Sequence, residues 1–250
     1  MPHGKPIPRT GANQDSFTRP QSRVTLLAPA AAVVIAVVAM LAWSALVRTV
    51  IVPAWLQAVG AYLVVWVPLG VAVVVAARGA RRSGGAPLFA RPWIRPIDLL
   101  WGVGAGFMMR GVSAVIELVV LGRMSGTGLQ LEIDPTMAWF TLLLAPVLLG
   151  PVIEECFFRG LTLPTLRDAT DASGASRATS TIIAVLASSA LFALLHTLES
   201  PSPTLALVTG LSTFAFGLAA AVIVVLTGRI GGAIVAHIVY NAMLILLLVM

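Results

Sequence analysis

Residues 142–160 read Leu-Leu-Leu-Ala-Pro-Val-Leu-Leu-Gly-Pro-Val-Ile-Glu-Glu-Cys-Phe-Phe-Arg-Gly. Glu154, Glu155 and Arg159 fall within six positions of one another inside an apolar run. Whether that run is a soluble core helix or a membrane span decides the fold, and composition answers. The chain has 250 residues, 58% of them hydrophobic and only 10% charged, with a mean hydropathy of +0.97. A soluble domain carries about 25% charged residues. The stretch therefore belongs to a polytopic, all-α membrane protein, where each charge at mid-bilayer costs roughly 2.5–3.5 kcal/mol. A chain that keeps three such charges together has a use for them.

Apolar runs long enough to cross a bilayer, about 20 residues each, predict seven spans near 24–47, 54–77, 99–121, 136–163, 178–198, 204–227 and 230–250. Breakers separate them: Arg78–Gly85, Arg167–Gly174 and Ser200–Pro203. Residues 1–23 are polar and proline-rich, the pattern of a disordered cytoplasmic tail. Their basic residues Lys5, Arg9, Arg19 and Arg23 join Arg78, Arg81, Arg82, Arg91, Arg95, Arg167, Arg177 and Arg229 on one side of the membrane. The other side receives only Arg48 and Arg123, with the acidic residues Glu132, Asp134 and Glu199. By the positive-inside rule the N-terminus is cytoplasmic. The net charge of +6 is then a topology signal, and no nucleic-acid partner is implied. The single cysteine, Cys156, precludes an intramolecular disulfide and reads as a small buried hydrophobe.

Seven ionisable residues remain at membrane depth: Arg110, Glu117, Glu154, Glu155, Arg159, His196 and His237. Glu155 and Arg159 are spaced i, i+4 and pair along one helical face. Glu154 is rotated about 100° from that face and is left free for acid–base work. His237 and Asn241 share a face one turn apart. Arg110 and Glu117, seven apart, form a buried pair or serve the site, and Phe192 packs. Trp93, Trp101 and Trp139 fit interfacial anchoring. Counted from span ends near 166, 178 and 229, the depths of Glu154, His196 and His237 come to roughly 18, 27 and 12 Å. They bracket the middle of a core about 30 Å thick, and tilt or a kink at Pro151 has to absorb the spread.

Three motifs in order, Glu-Glu-x-x-x-Arg (Glu154, Glu155, Arg159), Phe-x-x-x-His (Phe192, His196) and His-x-x-x-Asn (His237, Asn241), resemble those of the CPBP intramembrane proteases. These comprise the type II CAAX prenyl endopeptidases and their bacteriocin-processing, Abi-like relatives. The resemblance covers 136–250 as a catalytic membrane core and leaves 24–135 as N-terminal membrane helices. It implies an endopeptidase that cuts a membrane-associated or lipidated substrate within the bilayer, and the near-exclusive use of Arg over Lys points to a bacterial plasma membrane. Glu154 would activate water with help from His196. His237 and Asn241 would stabilise the oxyanion, and Glu155 with Arg159 would support them. The family is described as metal-dependent, and Glu154, His196 and His237 form a possible His₂Glu zinc set. The absence of His-Glu-x-x-His spacing favours direct activation, and both mechanisms stay open. Two other classes use similar residues: a proton-coupled transporter and a non-proteolytic membrane scaffold or immunity protein.

Overall fold

The computed structural model describes residues 26–82, 88–89, 93–124, 137–198 and 200–249, with side chains to residue 247. The tail at 1–23, Arg91, Glu132, Asp134 and Glu199 fall outside these residues. All regular structure among the described residues is helical. The helices are α1 (Leu27–Thr49), α2 (Ala54–Arg82), α3 (Pro96–Leu121), α4 (Trp139–Ala172), α5 (Arg177–Thr197), α6 (Pro203–Thr227) and α7 (Gly231–Val249). The first six are long and apolar enough to cross a membrane, and α7 is a shorter apolar helix. The chain is a multi-pass integral membrane protein.

Local chemistry fixes the helix ends that matter for the site. Ser176 caps α5 by accepting the Thr179 N–H at 3.2 Å. Ser202 caps α6 by accepting the Leu205 N–H at 3.3 Å, with Pro203 at the first helical position. Gly228, at φ 68°, ends α6 in the left-handed conformation that glycine tolerates. Arg229 then reaches back to Asp98 in the first turn of α3. Its Nε and Nη2 meet the two carboxylate oxygens at 2.8 and 2.5 Å. That hydrogen bond holds the Arg229 guanidinium above its usual pKa.

Alternating directions make α3 and α7 parallel, and they pack along much of their lengths. Two glycines set their separation. A Cβ on Gly102 would lie 2.5 Å from Val235 Cβ, and one on Gly106 would lie 2.7 Å from Val239 Cβ. Small residues one turn apart let two membrane helices approach closely. The Arg110–Glu117 pair lies on the same helix, with Arg110 Nη2 donating to both Glu117 oxygens at 2.8 and 2.7 Å.

The fourth helix differs from its expected span of 136–163, because it runs on to Ala172. Arg167, Asp168 and Asp171 read as a loop signal, yet a helix leaving the apolar layer tolerates polar residues. Two stretches of α4, Trp139–Leu149 and Phe158–Thr162, are π-helical. Each closes just before a proline. The Gly150 N–H bonds the Ala145 carbonyl before Pro151, and the Leu163 N–H bonds the Phe158 carbonyl before Pro164. A proline ring clashes with the carbonyl four residues back, and the wider i→i+5 turn relieves the clash.

Candidate active site

Between the two π-helical stretches, Gly150–Phe157 is a short α-helical segment carrying both glutamates. Their environments differ. Glu155 is fully buried, as is Arg159, whose Nη1 donates to Glu155 Oε1 at 3.2 Å, the pairing the i, i+4 spacing predicts. Arg159 Nη2 donates to the Gly217 carbonyl of α6 at 3.2 Å. Its guanidinium carbon lies 4.6 Å from the centre of the Phe192 ring, within cation–π range. Phe192 therefore does more than pack. Glu155 Oε1 also accepts from His237 Nδ1 at 3.0 Å. One carboxylate oxygen thus ties α4 to α7, while Glu155 Oε2 and Arg159 Nε have no protein partner.

Glu154 points elsewhere. Its Oε2 lies 3.6 Å from His196 Nε2 and 3.9 Å from His237 Nε2. The His196 side chain is 32% exposed and that of Glu154 15%. The reason is geometric: α5 packs along the second half of α4, from Phe158 onward, and not along Gly150–Phe157. The two helices separate at the level of the glutamates, and side chains cross the resulting cleft.

The hydrogen bonds also orient the imidazoles. His196 Nδ1 lies 2.8 Å from the Phe192 carbonyl, which can only accept, so Nδ1 carries the proton. The Glu155 carboxylate plays the same part for His237 Nδ1. Both Nε2 atoms are therefore turned toward Glu154 Oε2. Asn241 donates its amide to the Pro146 carbonyl at 2.7 Å. That carbonyl lacks its usual helical partners: the Gly150 N–H is engaged by Ala145, and Pro151 has no N–H.

The convergence corrects the depth estimate made from span lengths. With α4 ending at Ala172, Glu154 lies roughly 27 Å from that end, close to the roughly 28 Å of His196 from Arg177. Gly232 packs against Ile223, a turn before the end of α6. Counted from that level, His237 lies roughly 13 Å in, so helix lengths bring Glu154 and His196 level and do not by themselves account for the position of His237. Residues without a sequence signal complete the surroundings. Phe216 of α6 lies under the His237 ring, 4.7 Å between centroids, and Tyr240 lies 4.9 Å from Phe216.

Glu154, His196 and His237 offer metal-binding atom types. Among the described residues, however, no group of three or more His, Cys, Asp or Glu side chains is disposed to hold a metal ion. The zinc set suggested by the sequence thus gains no support from this arrangement.

Residues 136–243 match the family model described as Type II CAAX prenyl endopeptidase Rce1-like. The matched segment contains Glu154, Glu155, Arg159, His196, His237 and Asn241. No curated protein and no solved structure matches the chain.

Proposed function

We propose that this chain, a member of the CPBP/CAAX intramembrane protease family through residues 136–243, hydrolyses a peptide bond of a membrane-associated or lipidated substrate with water activated by Glu154. The observation that carries this reading is the placement of Glu154 Oε2 beside two imidazole Nε2 atoms at 3.6 and 3.9 Å. A water in the cleft, held between Glu154 and His196 Nε2, gives its proton to the Glu154 carboxylate as its oxygen attacks the scissile carbonyl carbon. The carbonyl π electrons move onto oxygen, and a tetrahedral oxyanion forms. When it collapses, the C–N bond breaks and its electron pair leaves with nitrogen. Glu154 returns the proton to that nitrogen, releasing an amine and a carboxylic acid.

His237 and Asn241 serve the oxyanion. His237 donates from Nδ1 to Glu155, and donation to the oxyanion from Nε2 requires a hydrogen on that nitrogen as well. Asn241 spends one amide hydrogen on Pro146 and has a second for the oxyanion. Glu155 and Arg159 hold these groups in place. The basic loops put the N-terminus in the cytoplasm, and the near-exclusive use of Arg over Lys fits a bacterial plasma-membrane protein of high-GC origin.

The test is cleavage in membranes. Comparative membrane proteomics of wild type against Glu154→Ala should show uncut substrate accumulating only in the variant, at equal expression. A purified farnesylated reporter peptide should be cut by wild type and not by His196→Ala. Wild-type cleavage by either variant would overturn the assignment.

A further inference from the structure

The family segment begins at residue 136, yet α3, at Pro96–Leu121, lies along the helix that carries His237 and Asn241. Polar contact joins them inside the bundle at the Tyr240 hydroxyl. Ser113 Oγ and the Tyr240 hydroxyl are 2.7 Å apart, with Ser113 fully buried and Tyr240 7% exposed. Arg110 also bears on the Tyr240 hydroxyl. Tyr240 lies one turn after His237 on α7, and both rings rest on Phe216, at 4.9 and 4.7 Å between centroids. Phe216 in turn neighbours Phe192, at 6.0 Å.

Two kinds of constraint on α7 therefore originate in α3. Gly102 and Gly106 fix how near α7 comes, through Val235 and Val239. The Ser113–Tyr240 bond restrains how α7 is rotated about its own axis, alongside the bonds of His237 to Glu155 and of Asn241 to Pro146. Rotation is what decides whether His237 presents Nε2 to Glu154, since a helix turns about 100° per residue. The glycine contacts alone leave rotation free within the slack of apolar packing. A hydrogen bond at the end of a long, rigid phenol does not.

We propose that Ser113 and Tyr240 are positioning residues for His237: the hydroxyl pair on α3 and α7 holds the Phe216–His237 contact and the aim of the imidazole at Glu154. The value of this pair to turnover rests on the protease reading given above. The positioning itself can be measured without any substrate.

The chain has three histidines, His3, His196 and His237, so side-chain NMR of protein labelled with ¹⁵N-histidine in nanodiscs resolves each imidazole. Tyr240→Phe and Ser113→Ala should each shift or broaden the His237 ring signals and leave those of His3 and His196 in place. The double variant should match the single ones, and Ser113→Thr, which restores a hydroxyl, should recover the wild-type spectrum. Arg229→Gln is the control for a merely structural loss, lowering thermal stability without moving the His237 signals. On the farnesylated reporter peptide, kcat should fall about tenfold in Tyr240→Phe with KM nearly unchanged, as expected for a displaced catalytic group. His237 signals that stay at their wild-type positions in both single variants would overturn the proposal, whatever the peptide shows. Shifted signals with unaltered kcat would keep the positioning and count against the role of His237 in the reaction.

Discussion

The first half of α4, residues 139–157, and its second half, residues 158–172, belong to one helix but have different neighbours. The second half packs against α5 and is sealed by Phe158, Leu161 and Leu163, all at most 2% exposed. The first half leaves α5 and packs instead on α2 and α7. Glu154 and Glu155 sit where this changeover occurs, which is how adjacent residues come to differ so much. Glu155 looks into the sealed layer and Glu154 into the cleft. A single helix can thus build both the support of a site and its open wall, provided its partner helix diverges at the right turn.

The contrast can be attacked at each part. The largest effect is expected from Glu154→Gln, which keeps the shape of the cleft wall and removes the base. Cleavage of the reporter peptide should drop about 10²–10⁴-fold while thermal stability stays within experimental error; a comparable loss of stability would mean that Glu154 belongs to the sealed layer after all. Next is Arg159→Met. It leaves Glu155 buried without its guanidinium, and breaking a buried pair costs roughly 3–5 kcal/mol. A large fall in melting temperature is expected, with activity lost as a consequence of unfolding, and unchanged melting would show that the layer is not held by this pair. Pro151→Ala comes third. The restored N–H can bond the Pro146 carbonyl or its neighbour and so compete with Asn241. A cleavage rate lower by about tenfold is expected from a small displacement, and a rate equal to wild type would separate Asn241 from this carbonyl. The smallest effect is expected from metal removal. Protein stripped by chelation should cleave within about twofold of untreated protein, given direct activation of water by the carboxylate. Loss of activity that added zinc restores would assign Glu154, His196 and His237 to a metal instead.

Much of the fold is legible in the sequence, because bilayer thickness imposes its length on each apolar run, and the i, i+4 spacing of Glu155 and Arg159 foretells their pairing. What composition could not convey is how far α4 continues. Arg167, Asp168 and Asp171 look the same in a loop as in a helix end that has left the apolar layer. The π-helical turns were equally hidden as structures, although Pro151 and Pro164 mark where they close. The double use of Glu155 Oε1, by Arg159 and by His237, depends on two helices 82 positions apart meeting at one oxygen, which no local pattern encodes. For the same reason Phe216 and Tyr240 carry no signal of their own, since an aromatic residue in an apolar helix reads as packing. Asn241 shared a face with His237 in the sequence, but the carbonyl it satisfies exists only because two neighbouring donors are missing.

The Asp98–Arg229 contact has a consequence in time. The two residues are 131 positions apart, and chains grow at about 5–20 residues per second. For roughly 7–26 s during synthesis, α3 waits at the membrane before the guanidinium that pairs with its Asp98 carboxylate has been made. Over that interval Asp98 has the Arg95 N–H, at 2.7 Å, and the guanidinium that completes its pairing arrives only with the turn between α6 and α7.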